Sequence, residues 1–132
     1  MKISGVARRA VVGIVTTAVL TPAIVTAAAA PAVAAMGKGR AQICSQGDYP
    51  SQLEFAGTGG FSSFIAAAGT CVKVDIPAGT TRIDVVGSWS NGSTFNMGGF
   101  WASAQDNPGW KVYTFGSRAN SAATASWRWN RD

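Results

Sequence analysis

The chain has 132 residues, of which 47% are hydrophobic and 13% are charged, and this length suits at most one domain. It contains no histidine, which excludes the usual serine and cysteine triads, histidine metal ligands and a histidine pH switch. Only six carboxylates are present, so few pairs are available for acid–base catalysis or for an oxygen-ligand metal site. We therefore expect a protein that is not an enzyme and that holds no metal or cofactor.

Residues 1–35 have the three parts of a signal peptide. A basic start is followed by a long uncharged, apolar run, which ends in the small residues of an A-x-A cleavage site. We expect cleavage near Ala34 or Ala35 and export from the cell. The run is interrupted by prolines, and its one strongly hydrophobic block is shorter than a membrane span requires. We therefore expect no stable membrane insertion.

Signal-peptide removal would lower the positive charge of the chain. Lys2, Arg8 and Arg9 leave with the signal, so the mature chain keeps 8 basic and 6 acidic residues and a net charge of +2. These charges form no run, which disfavours a nucleic-acid partner. The chain also lacks a cationic amphipathic segment, which disfavours a pore-forming or antimicrobial role.

The two cysteines, Cys44 and Cys71, both belong to the mature chain. Thiols oxidise in the compartments that exported proteins reach, so one disulfide is expected. Closing the intervening loop would stabilise the fold by about 3.5 kcal/mol in the chain-entropy model. A metal-binding or redox role is disfavoured, because the pair lacks CxxC spacing and no third cysteine or histidine completes a site.

The mature chain shows a series of short strand signals separated by Gly-, Pro- and Asn-containing turns. Residues 36–43 carry two glycines without periodicity, and we expect a flexible leader there, followed by a folded domain over residues 44–132. Strands are predicted at residues 52–55, 61–67, 71–76, 81–86, 94–97, 100–104, 110–115 and 124–129. Seven or eight short strands without a persistent helical period indicate an all-β fold, a small antiparallel β-sandwich or barrel.

Two of these strands alternate polar and apolar side chains especially clearly. They occupy residues 71–76 and 81–86, and a turn signal at residues 77–80 favours an antiparallel hairpin between them. Such a hairpin would bring Asp75 and Asp84 to one face, as in a glycosidase pair. A solvated sheet face explains these charges equally well, and no cleft is implied.

Aromatic side chains are concentrated in the last third of the chain. Trp127 and Trp129 are two residues apart on a predicted strand, so they share a face, and Arg128 lies on the other. An indole pair of this kind can stack on sugar rings, anchor a protein interface or fill the core. We predict a ligand-binding surface formed by these two tryptophans, with Arg128 and Arg131 at its rim.

A further aromatic platform is predicted in the preceding strands. Phe100 and Trp101 are adjacent, so in a strand they point to opposite faces. One of the two is then expected to face away from the core, and Trp101 joins the candidate binding residues.

Three segments resemble a group of small secreted proteins of filamentous soil bacteria that have a single disulfide and no settled activity. These are Cys44-Ser45-Gln46-Gly47-Asp48-Tyr49, Gly59-Gly60-Phe61 and Gly69-Thr70-Cys71. The resemblance covers about 30 residues. It implies export, one disulfide and a β fold, and it carries over no site residues.

These observations favour a secreted, non-enzymatic binding protein that recognises extracellular polysaccharide or a secreted or cell-surface protein through its aromatic surface. The alternative is an adaptor subunit of a larger secreted assembly or a small inhibitor of an extracellular protease. The leader at residues 36–43 would then add as a strand to a partner's sheet, or residues 45–49 would form an inhibitory loop beside Cys44.

Overall fold

The structure is a computed structural model that describes residues 34–117 and 124–131. The predicted signal peptide therefore lies outside the described residues except for its last two. The described chain forms eight strands and no helix. The strands are β1 (Arg40–Ser45), β2 (Ser51–Ala56), β3 (Phe61–Ser62), β4 (Cys71–Asp75), β5 (Arg82–Ser88), β6 (Thr94–Trp101), β7 (Trp110–Phe115) and β8 (Ser126–Asn130).

The strands form two four-stranded sheets that pack as a sandwich. The first sheet has the order β4-β1-β7-β8 and the second the order β3-β2-β5-β6. Neighbouring strands are antiparallel except β1 and β7, which are parallel. The predicted all-β sandwich is confirmed, with this one parallel pair, and the sheets do not close into a barrel.

The core lies between the two sheets. Alternate side chains of the central strands point inward, as the period-2 pattern of a strand requires. Val85 and Leu53, directly opposite each other on β5 and β2, are both fully buried. The buried apolar cluster comprises Ala41, Ile43, Leu53, Phe55, Ala66, Ile76, Ile83, Val85, Ala102, Trp110 and Val112.

Strand β1 corrects the predicted leader at residues 36–43. Residues 40–43 lie in a central strand that is paired on both sides, with β4 and with β7. Ala41 and Ile43 are fully buried, so the alternating pattern of a strand is present at these residues. The glycine-rich residues before them make this short pattern hard to recognise in the sequence. Because neither edge of β1 is free, these residues cannot add as a strand to a partner's sheet.

The predicted hairpin between β4 and β5 is wrong, because the two strands belong to different sheets. The turn between them crosses from one sheet to the other: the Ile76 amide donates to the Gly39 carbonyl, and the Thr81 amide donates to the Ala56 carbonyl. Asp75 and Asp84 therefore lie on different sheets. Each carboxylate pairs with an arginine, Asp75 with Arg40 at 3.1 Å and Asp84 with Arg82 at 2.8 Å.

Two other predicted strands have different limits. The strand predicted at residues 61–67 ends at Ser62, and the segments predicted at 94–97 and 100–104 join into the single strand β6. After Ser62 the chain leaves the ladder, since the Ser63 hydroxyl accepts from the Leu53 amide at 2.9 Å, and Ala66 forms an isolated bridge with Ser51.

The predicted disulfide is confirmed. Cys44 on β1 and Cys71 on β4 face each other directly in the antiparallel register and are joined covalently. The bond therefore fixes the edge strand β4 to the central strand β1.

We expect the double variant Cys44→Ala/Cys71→Ala to fold less stably than the wild type. Removing the cross-link frees the unfolded chain, and the expected loss in the free energy of unfolding is about 3.5 kcal/mol. Urea unfolding followed by tryptophan fluorescence measures it. An equal midpoint for the variant and the oxidised wild type would contradict the structural role.

Tyr49 connects the ends of the two sheets. Its side chain is fully buried, its hydroxyl donates to the Phe115 carbonyl at 2.6 Å, and its ring lies 5.5 Å from that of Phe95. Burial raises the pKa of the phenol above its usual value, because desolvation disfavours the phenolate. The neighbouring Asp48 carboxylate raises this pKa further, and hydrogen bonding to Thr114 opposes the shift.

This raised pKa predicts a loss of stability at alkaline pH. The folded state binds the phenol proton more tightly than the unfolded state does. The stability that the Tyr49 phenol contributes is therefore complete below about pH 10, and it declines as the pH rises above that value. Tyr49→Phe should be less stable than the wild type at pH 7, because the Phe115 carbonyl loses its donor. The difference in the free energy of unfolding between the two should be constant below about pH 10 and should narrow above it, as urea unfolding would show. A difference that stays constant at higher pH would contradict the coupling.

Candidate functional site

Four aromatic side chains form a cluster where β6 of one sheet meets β7 and β8 of the other. Phe100 lies at the centre, with its ring centroid 4.7 Å from Trp110, 5.7 Å from Trp127 and 6.1 Å from Trp129. Trp110 and Trp129 meet edge to face at 4.9 Å. Such contacts stabilise a small sandwich beyond the area that they bury. Both tryptophans of the predicted pair therefore make aromatic contacts within the protein itself.

Trp127 is held by a hydrogen bond between the two sheets. Its indole N–H donates to the Met97 carbonyl at 2.8 Å, and its ring is partly buried against the core. The indole N–H of Trp127 is thus hydrogen-bonded within the protein, and much of its ring packs against the core. Trp127 therefore covers the edge of the sandwich. Trp129 keeps 47% of its surface exposed, so it retains one face for other contacts.

The two arginines predicted at the rim lie in different places. Arg131 stacks on the Trp110 ring at 4.6 Å, and its guanidinium donates to the Pro108 carbonyl at 2.7 and 3.2 Å. Arg128 points to the outer face of its sheet, over the rings of Phe115 and Tyr113 at 5.0 and 5.7 Å. The structure therefore places Arg131 beside the aromatic cluster and Arg128 on the opposite face of β8.

Trp101 is the most exposed of the candidate aromatic residues. It keeps 77% of its surface exposed, whereas Phe100 packs against the core, as their opposite directions in the strand predict. Trp101 lies at one wall of an open cleft of about 620 Å³, to which Trp110 and Arg131 also contribute. The remaining polar lining is supplied by Thr80, Thr81, Ser103 and Asp106.

Asp106 belongs to the lining of this Trp101 cleft and is held in place by two hydrogen bonds. Its Oδ2 atom accepts from the indole N–H of Trp110 and from the Ser103 amide, both at 2.8 Å. The sequence indicates only a turn at this aspartate. Asp106 also fixes the Trp110 ring and the Ser103 backbone. The short spacing of Ser103, Asp106 and Trp110 in the sequence could have indicated this role, because a side chain in a turn can reach polar groups of nearby residues.

A second exposed feature is an apolar loop at residues 61–65, which consists of β3 and the first residues after it. Phe61, Phe64 and Ile65 are all exposed, and Phe64 keeps 82% of its surface in solvent. The backbone beneath them is fixed, because the Ser63 amide donates to Leu53 and Ala66 exchanges two hydrogen bonds with Ser51. The backbone of this apolar loop is therefore fixed by hydrogen bonds to β2.

The loop predicted for protease inhibition, residues 45–49, is less suited to that role. Ser45 and Tyr49 at the two ends of this loop are buried in the protein, so neither side chain is available to a protease.

Two kinds of feature are absent from the part of the chain that the structure describes. It contains no group of three or more carboxylate or cysteine side chains able to hold a metal ion. Within the same residues, no helix is long and apolar enough to cross a membrane.

Comparisons with known proteins identify no family. No protein-family model matches the chain, and no curated protein matches it. Among solved structures, the chain is similar to a protein from Eubacterium rectale determined by NMR, with a TM-score of 0.48 and 11% identity over 70% of this chain and 88% of that one.

Two other solved structures are larger proteins. A structure described as a trapped toxin has a TM-score of 0.39 and 10% identity, covering 71% of this chain and 23% of that one. A disulfide-locked mutant of intermedilysin with human CD59 has a TM-score of 0.37 and 12% identity, covering 71% and 24%. At these values the comparisons assign neither family nor function.

The different environments of Trp127 and Trp101 predict different effects of the same substitution. Trp127→Phe should lower the free energy of unfolding by about 1–3 kcal/mol, because it leaves the Met97 carbonyl without its donor. Trp101→Phe should change it by less than about 0.5 kcal/mol, since this ring is exposed. Urea unfolding of the two variants checks the contrast, and equal losses would contradict it.

Proposed function

We propose that this protein is a secreted, non-enzymatic binding protein that recognises extracellular polysaccharide at the Trp101 cleft. The observation that carries the proposal is the exposed Trp101 ring beside polar groups that the fold already holds in place. A flat indole covers the apolar face of a sugar ring, and fixed polar groups at its edge set the orientation of the ligand.

The rim of the Trp101 cleft is pre-organised. The Asp106 carboxylate is held by Trp110 and Ser103, and the Arg131 guanidinium is held by the Pro108 carbonyl and the Trp110 ring. Groups that are already ordered lose little conformational entropy when a ligand binds. A carboxylate and a guanidinium of this kind suit the hydroxyl groups of a saccharide.

The composition of the Trp101 cleft supports binding without catalysis. Among the described residues that line it, Asp106 is the one carboxylate, whereas most glycoside hydrolases use two on opposite sides of the scissile bond. Asp106 already accepts two hydrogen bonds, which fits a structural and orienting role.

Export agrees with the remaining features. The predicted signal peptide would direct the chain out of the cell, where the Cys44–Cys71 disulfide persists. The mature charge of +2 is compatible with a freely diffusing extracellular protein.

A second candidate is binding to another protein, as an adaptor or a protease inhibitor. The observation that favours it is the apolar loop with Phe61, Phe64 and Ile65 exposed over anchored backbone. An exposed apolar cluster on a rigid support is the kind of surface that serves as an interface hot spot.

One pair of variants separates the two candidates. Trp101→Ala should weaken retention on insoluble cellulose, chitin or xylan by about tenfold, which corresponds to about 1.4 kcal/mol of lost stacking. Phe64→Ala is the matched control, because it removes an exposed aromatic ring elsewhere and should leave retention unchanged. Depletion assays with each polysaccharide measure both variants.

The opposite pattern would favour the protein-binding candidate. If the wild type is retained on none of the polysaccharides, or if Trp101→Ala is retained as well as the wild type, the Trp101 cleft is not a polysaccharide site. Loss of a secreted partner on Phe64→Ala alone, in pull-downs from culture medium, would then assign the function to the apolar loop.

A further inference from the structure

A row of polar side chains crosses the outer face of the β4-β1-β7-β8 sheet. The strand registers place Lys73 opposite Gln42, Gln42 beside Lys111, and Lys111 opposite Asn130. Directly opposed residues of neighbouring strands point to the same face. Two lysines are therefore brought within one row on a single sheet face.

Lys111 is buried although it is charged. Only 3% of its surface is exposed, and its Nζ atom has no hydrogen-bond partner among the described residues. A buried charge is normally paired, because removing it from water is costly unless a partner replaces the lost hydration. This ammonium group therefore lacks the partner that its position requires.

Lys111 lines a cleft of about 380 Å³ that also carries Lys73, Arg40, Gln42 and Tyr113. No carboxylate belongs to the described lining of this Lys111 cleft. Arg40 pairs with Asp75 at 3.1 Å, but the Asp75 side chain is largely exposed and lies outside the lining. The cleft thus combines three cations with a phenol and an amide, a donor set that suits an oxyanion.

We propose that the Lys111 cleft is a binding site for an oxyanion, a carboxylate or a phosphate, on the sheet face away from the core. The anion would accept from the Lys111 ammonium, and Lys73 and Arg40 would supply further positive charge. This site uses none of the residues of the Trp101 cleft, so it stands independently of the proposed polysaccharide binding.

Signal-peptide cleavage would complete this site, a step that rests on the proposed export. Ala34 and Ala35, at the predicted cleavage position, form part of the cleft wall together with Met36. Cleavage after Ala35 would remove two wall residues and create the α-ammonium group of Met36 there. The mature protein would then have a more open cleft with one additional positive charge.

Asn130 offers a competing explanation for the buried lysine. Its Oδ1 atom is also buried without a hydrogen-bond partner, and it lies opposite Lys111 in the register. A direct bond from the ammonium to this amide oxygen would satisfy both groups without an anion. The two explanations differ in the effect of an added anion and in the effect of removing Asn130.

The test uses the mature protein purified from culture medium, with its N-terminus established by mass spectrometry. Inorganic phosphate and sodium glucuronate are titrated separately at constant ionic strength, and backbone amide shifts are followed by NMR. We expect saturable shifts at Gln42, Lys73 and Lys111 with at least one of the two anions. A response to phosphate alone or to glucuronate alone identifies the chemistry of the ligand.

Three variants test the assignment. Lys111→Met should weaken the anion response at least tenfold, while Lys38→Met, which removes an exposed lysine outside the cleft, should leave it unchanged. Asn130→Ala should retain the response. Lys111→Met should melt no lower than the wild type without anion, because it removes an ammonium group that has no hydrogen-bond partner among the described residues.

Several outcomes would overturn the proposal. These are shifts that do not saturate with either anion, an equal response in Lys111→Met, or destabilisation by Lys111→Met together with a lost response in Asn130→Ala. The last result would assign Lys111 to a structural bond with Asn130.

Discussion

The two-sided pairing of β1 is the constraint on which the rest of the molecule depends. This strand is hydrogen-bonded to β4 on one side and to β7 on the other, and Cys44 ties it covalently to β4. Its inward residues enter the core, whereas Gln42 connects the outward row from Lys73 to Lys111. Any change that displaces β1 would therefore disturb both the hydrophobic core and the basic outer face.

Some aromatic residues of β6, β7 and β8 stabilise the fold, and others are exposed to solvent. Phe100, Trp110 and Trp127 hold the two sheets together at one edge, while Trp101 on the same strand as Phe100 faces solvent. A domain of this size buries only about two thirds of the surface that its unfolded chain exposes, so most of its large side chains are needed in the core. The exposed Trp101 ring is accordingly unusual, since burying it would have stabilised the fold further.

The sequence predicts the kind of fold well but not the strand partners. Alternation identifies strands at 71–76 and 81–86, and it correctly predicts that one of Phe100 and Trp101 faces outward. It does not show which strand lies beside which, because pairing depends on contacts distant in sequence. The predicted hairpin between β4 and β5 is wrong for this reason. Strand β1 is not predicted, because its alternation of polar and apolar residues extends over only a few positions. The Trp101 cleft could not be predicted from the sequence either, because Asp106 and Arg131 are distant in sequence and line the same cleft only in the folded protein.

The hydrogen bond from Trp127 to the Met97 carbonyl has a further consequence for self-association. Strand β6 lies at the edge of its sheet, where unpaired backbone groups can recruit a strand from another molecule. The indole N–H donates to the Met97 carbonyl where the register of β6 with β5 shifts, so the hydrogen bond and the irregularity occur together. An irregularity held in this way interrupts the regular backbone ladder that a strand from another molecule would need in order to pair along β6.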